Sequence, residues 1–96
     1  MAALVAEAHA LSASSGLQPH LILAVAAVES GFHPFIVSEA GAQGLMQVMP
    51  EVHAKRFERL GGREVAFDPL TNLRVGVEIR TEQTAMDRAA AGQAPS

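Results

Sequence analysis

The twelve residues 19–30, PHLILAVAAVES, constrain the fold of this chain most. Proline suits the first turn of a helix, where its missing N–H would have no intrahelical partner. Ala and Leu outweigh the mild opposition of the β-branched Ile22, Val25 and Val28. The segment is apolar on nearly every side, which predicts a central, buried helix stopped by Gly31. Other helices must cover it, and the composition supplies them. The chain has 96 residues, 49% of them hydrophobic but only 4% aromatic, all of these Phe. Its core must be built from Ala, Val, Leu, Ile and Met, whose small side chains let helices approach closely. That length supports one all-α domain with a modest core.

The other elements follow from their punctuation. Residues 2–15 predict a first helix, with Leu4, Val5, Ala8 and Leu11 at helical spacing and Gly16 at its C-terminal stop. GFHPFIVSEAGAQG, residues 31–44, reads as an ordered loop broken by Pro34 and turned at Gly41 and Gly44. LMQVM, residues 45–49, is either a buried helical turn or a strand. Pro50 is expected to open a helix over 50–60, with Val52, Phe57 and Leu60 inward and Gly61 and Gly62 ending it. REVAF, residues 63–67, reads as a connector of extended character. Asp68 as N-cap and Pro69 at the first turn begin the last helix, with Leu70, Leu73 and Val77 on a stripe widened by Val75, Ile79 and Met86. It fades into DRAAAGQAPS, expected to fray. The expected architecture is four or five short helices and one long ordered loop, with a domain over 1–90 and a flexible tail over 91–96.

Charge and composition exclude several functions. The net charge is −3, and the basic residues Lys55, Arg56, Arg59 and Arg63 are interrupted by Glu58 and Glu64. That is a solvated helix face, not a nucleic-acid footprint. With no cysteine there is no disulfide framework and no thiol nucleophile. His9, His20, His33 and His53 lack ligand spacing, so no metal and no cofactor is expected. The longest apolar run, residues 21–28, is far shorter than the about 20 residues that span a bilayer. The first residues, MAALVAEAHALSASSG, lack the basic start of a signal peptide.

Glu29 is the residue these patterns leave unexplained. It lies in the last turn of the apolar helix, with Ala26, Val25 and Ile22 before it on neighbouring turns. Desolvation and the negative end of the helix dipole both disfavour a charged carboxylate there. A carboxylic acid held protonated is a general acid, which glycosidic cleavage requires; the raised glutamate of lysozyme is the standing example of such a group. The plainer alternative is a surface helix-end residue or an arginine partner. Downstream lie small residues that admit a ligand closely, Gly41, Ala42 and Gly44. Beside them are uncharged hydrogen-bonding groups suited to sugar hydroxyls, Ser38, Gln43 and Gln47. Met46 and Met49 suit either apolar sugar faces or core gaps.

Residues 27–50, taken together, resemble the signature of the soluble lytic transglycosylase (SLT) domain family, related in fold to goose-type lysozyme. Its elements are Glu29-Ser30, Gly31-Phe32-His33-Pro34, the run 38–47, and Met49-Pro50. A second block, FDPLTNLRVG, is similar to the family pattern through Asp68, Pro69, Asn72, Leu73 and Gly76. The match covers about residues 17–80. The resemblance implies a lysozyme-like helical fold and cleavage of the β-1,4 bond between N-acetylmuramic acid and N-acetylglucosamine in peptidoglycan. It implies one glutamate, Glu29, as acid and then base, with closure of a 1,6-anhydro ring and no metal. By resemblance Ser38, Gln43, Met46, Gln47 and Met49 line the saccharide groove. Ser30, Gly31, Gly41, Gly44, Pro50 and Asn72 belong to the structural motif, with Asn72 organising the loop and helix start.

The family usually continues with another helix and a Tyr-Asn-Ala-Gly-like motif. This chain contains no tyrosine, which leaves two expectations open, a domain truncated at the C-terminus or a degenerate member of the family. The implied partner is the peptidoglycan glycan strand, and the implied location is the periplasm or cell envelope. The alternatives left open are a non-catalytic peptidoglycan-binding module, a hydrolase of lysozyme type, and a helical interaction protein.

Overall fold

The computed structural model describes residues 2–93. It contains four α-helices: α1, Ala2–Ser15; α2, Pro19–Ser30; α3, Ala54–Arg59; and α4, Pro69–Gln93. A 3-10 helix, Arg63–Phe67, joins the last two. Among the described residues the only extended pairings are two isolated antiparallel bridges, Val37 with Gln43 and Gln43 with Val48. The all-α expectation holds, although α4 is 25 residues long.

α1 packs on both α2 and α4. The core they enclose is aliphatic apart from Phe57: Ala8, Ile22, Ala26, Leu45, Met46, Val48, Ala66, Leu73, Val75 and Val77 complete it. α2 departs from the prediction of burial on all sides. Ile22 and Ala26 are buried at 2% and 1% exposure, and Ser30 continues their i, i+4, i+8 stripe, whereas Val28 on the opposite side is 84% exposed. An apolar sequence makes every face of a helix eligible for burial. Which face is covered depends on where α1 and the 45–48 segment lie.

LMQVM is a turn, not a strand or a helix. Gln43 and Val48 exchange backbone hydrogen bonds of 2.8 and 3.0 Å, and Gln47 N–H donates to the Gly44 carbonyl at 3.1 Å. The tight turn buries Leu45, Met46 and Val48. α3 starts four residues later than expected. His53 has non-helical backbone angles, and Val52 stays exposed, so residues 50–53 gain no burial for helical order. REVAF is a 3-10 helix rather than extended, which places Ala66 in the core.

Asp68 caps α4. Its Oδ2 accepts from the Thr71 N–H at 2.9 Å and the Thr71 hydroxyl at 2.7 Å. These bonds favour the ionised carboxylate and hold the Asp68 carboxyl below its ordinary value, against a smaller effect of burial. α4 would extend about 37 Å at the standard rise, most of the longest dimension of a 45 × 29 × 25 Å molecule. It remains helical through the segment expected to fray, as far as Gln93. Ala89, Ala90 and Ala91 have the highest helix propensity of any residue type, which offsets the missing tertiary cover. Residues 94–96 of the expected tail lie outside the described residues.

Candidate active site

α2 delivers Glu29 to a groove. Gly31 ends the helix in the left-handed conformation, φ 60°, and its N–H closes on the Ala27 carbonyl at 2.9 Å. Ser30 turns inward, its hydroxyl donating to the Ala26 carbonyl at 2.9 Å. Glu29, one residue earlier, therefore lies at the rim. The groove has a volume of about 330 Å³ and is lined by Glu29, Met46, Gln47, Val48, Met49, His53, Gly76, Ile79, Arg80 and Gln83.

The burial expected at Glu29 is absent. Its side chain is 37% exposed, and Arg80 Nη2 lies 3.7 Å from Oε1. The apolar residues on the preceding turns face the core, while the carboxylate faces water and a guanidinium. A half-exposed pair at that distance contributes about 0–1 kcal/mol.

The wall opposite Glu29 is held by one buried side chain. Asn72 has no exposure. Its Oδ1 accepts from the Met46 N–H at 2.7 Å. Its Nδ2 donates to the carbonyls of Gln43 and Ala66, both at 2.8 Å. The 43–48 turn is thereby tied to α4 and to the 3-10 helix through one amide. Gly44 makes this approach possible: its φ is +80°, and a Cβ there would lie 2.4 Å from Asn72 Nδ2. Gly76 does the same on α4, where a Cβ would lie 2.5 Å from the Met46 Cβ. Both glycines are required by close approach, not by flexibility.

Gln47 adopts φ 50°, a left-handed conformation uncommon outside glycine, in the middle of the groove wall. Its amide nitrogen donates to the carbonyls of Gly44 at 2.9 Å and Ile36 at 3.1 Å, which fixes the orientation of the side chain. Met46 and Met49 line the groove beside it. Ser38 and Gln43 are not among the lining residues. The Ser38 hydroxyl accepts from the Ala42 N–H at 3.1 Å and closes the 38–42 turn. Gln43 is the residue shared by both bridges. Gly41 turns the loop at φ +94°, and Pro50 is buried.

Sequence reasoning missed His53, Ile79, Arg80 and Gln83. Three of these lie 3, 4 and 7 residues after Gly76, so they share its helix face. Projecting the motif glycine along α4 would have found them. His53 reaches the groove from the residue before α3. Burial pushes its pKa down, Arg56 adds to that, and Glu82 partly opposes it.

The chain is similar to known proteins in both sequence and fold. The model of the transglycosylase SLT domain matches residues 8–87. The chain belongs to this family. Two relatives of the SLT domain are a membrane-bound lytic murein transglycosylase C from Mannheimia succiniciproducens and an endo-type membrane-bound lytic murein transglycosylase A from Klebsiella pneumoniae. The first is 38% identical over 68 residues, covering 65% of this chain and 19% of the relative. The second is 44% identical over 52 residues, covering 53% and 26%. The chain thus spans about a fifth to a quarter of the length of these curated relatives. Among solved structures, an inactive mutant of lytic transglycosylase Slt from Pseudomonas aeruginosa superposes with a TM-score of 0.77 at 23% identity, over 86% of this chain and 14% of that one. The SLT domain described above therefore has the lysozyme-like helical fold of that enzyme.

Proposed function

We propose that the chain carries the catalytic groove of a peptidoglycan lytic transglycosylase acting in the bacterial cell envelope. The observation that carries this reading is Glu29 facing the 46–49 wall across a 330 Å³ groove, on a chain of the SLT family. The names of the curated relatives as murein transglycosylases support the substrate class.

In this mechanism the Glu29 carboxyl donates its proton to the glycosidic oxygen as the bond from C1 of N-acetylmuramic acid breaks. The resulting carboxylate then takes the proton of the C6 hydroxyl, and O6 closes on C1. The products are a 1,6-anhydromuramyl end and a free N-acetylglucosamine hydroxyl, with no water consumed. Among the described residues lining the groove Glu29 is the only carboxylate. A two-carboxylate mechanism with an enzyme nucleophile has no second acid there, which favours attack by the sugar's own hydroxyl. Glu29 is solvated in the unliganded groove. A glycan strand lying over Met46, Gln47 and Met49 supplies the desolvation that the fold alone does not.

The test is product identity. Digestion of peptidoglycan sacculi by the purified chain should release muropeptides with 1,6-anhydro ends, identified by mass spectrometry. Reducing ends would assign a hydrolase of lysozyme type. Binding to sacculi with no product would assign a binding module.

A further inference from the structure

Arg80 stands at the same groove as Glu29, and among the described residues its charge is paired with no other carboxylate. The arginines of α3 are consumed in a clasp on α4. Arg56 pairs with Glu78 at 3.2 Å and with Glu82 in a shorter contact, and Arg59 lies 3.6 Å from Glu78. Arg80 is different. Among the described residues its polar partner is Glu29, at a distance too long for a hydrogen bond, and its side chain is 51% exposed. It also lines a small apolar cavity with Leu17, Leu21, Val25 and Thr84. A long stem over apolar surface with a solvated head is how arginine presents a guanidinium to a ligand.

The chemistry of the proposed reaction makes this pair incomplete. Glu29 must be neutral to donate a proton. A neutral carboxyl is no counter-ion for the guanidinium, so the reactive state leaves Arg80 unbalanced in the groove. The chain as a whole carries a net charge of −3, which opposes an anionic polymer unless a local cation receives it. The planar fork of arginine suits a carboxylate.

We infer that Arg80 is a specificity-determining residue that binds a carboxylate carried by the glycan strand next to the scissile bond. The assignment rests on the reading of the groove given above. Two carboxylates of the polymer have this chemistry: the lactyl group of N-acetylmuramic acid once its peptide is removed, and the carboxylates of the stem peptide. In either case substrate displaces Glu29 from Arg80 and releases the acid for its role.

The experiment compares wild type, Arg80→Gln and Arg80→Lys on three probes by calorimetric titration. The probes are a neutral N-acetylglucosamine hexamer, glycan strands stripped of peptide, and strands retaining peptide. Arg80→Gln should weaken binding of carboxylate-bearing strands about tenfold, with a change below about twofold for the neutral hexamer. Arg80→Lys should fall between wild type and Arg80→Gln, since it keeps the charge but loses the fork. Loss on stripped strands assigns the lactyl carboxylate, and loss only on peptide-bearing strands assigns the stem peptide. Equal losses on all three probes, or none, overturn the assignment of Arg80. A wild-type chain that neither binds a probe nor cleaves sacculi overturns the reading of the groove and the assignment with it. Cleavage by wild type with indifferent Arg80 variants overturns the assignment alone.

Discussion

Asn72 does more for the site than any residue that faces the groove. One amide satisfies the Met46 N–H and the carbonyls of Gln43 and Ala66, all in the interior. Removing it takes the side-chain partner from the Met46 N–H and the Ala66 carbonyl, at a cost of about 1–3 kcal/mol for each buried group, while the Gln43 carbonyl keeps the Val48 N–H. Asn72→Ala should destabilise the chain by about 3 kcal/mol, measured by urea unfolding. A loss below about 1 kcal/mol would mean that the 43–48 turn is held by other contacts. Asn72 was legible in the sequence only through the resemblance of FDPLTNLRVG to the family pattern, whereas the Asp68 cap beside it was legible from local helix-start chemistry. Arg80 was not. Its significance depends on which face of α4 meets the turn, and that is a tertiary fact set by Gly76 against Met46.

At the level of elements, α4 is fixed at its start by a cap and along its length by the clasp to α3. Asp68→Ala should cost about 1 kcal/mol at neutral pH. The hydrogen bonds from Thr71 lower the folded-state pKa of Asp68. Its contribution is therefore full above the unfolded value of about 4 and is lost as pH falls through the folded value. The stability gap between wild type and Asp68→Ala should close between pH 4 and more acidic conditions, read by unfolding at several pH values. An unchanged gap would place the cap's effect in geometry and not in charge. His53 gives a second pH dependence. Its folded-state pKa is also lowered, by burial and by Arg56. The folded protein then binds fewer protons than the unfolded chain, so stability falls as pH drops below about 6.5. His53→Gln should lose less stability than wild type between pH 7 and pH 5, read by urea unfolding at both pH values. Identical pH profiles for wild type and variant would contradict that burial effect.

For the whole molecule, sequence and structure agree where proline and glycine punctuate. Pro19, Gly16 and Gly31 define α1 and α2 to the residue, because each has a local reason to stop or start a helix. Agreement ends where burial decides. The all-apolar α2 shows one stripe to the core and leaves Val28 in water, and for the same reason the Glu29 carboxylate lies on the solvated rim. No local pattern distinguishes the covered face of such a helix from the bare one. The groove itself arises from four separate segments: the end of α2, the 46–49 turn, His53 ahead of α3, and the middle of α4.

The central claim is that Glu29 works as the acid and base of this groove and does not hold the fold. Its pairing with Arg80 is loose and half-exposed, so Glu29→Gln should leave stability within about 0.5 kcal/mol of wild type. The decisive measurement is release of 1,6-anhydromuropeptides from sacculi by wild type and by Glu29→Gln, with thermal unfolding of both. Product from wild type alone, at matched stability, is the predicted result. Product from both proteins, or a Glu29→Gln chain that loses its fold along with its activity, would contradict it.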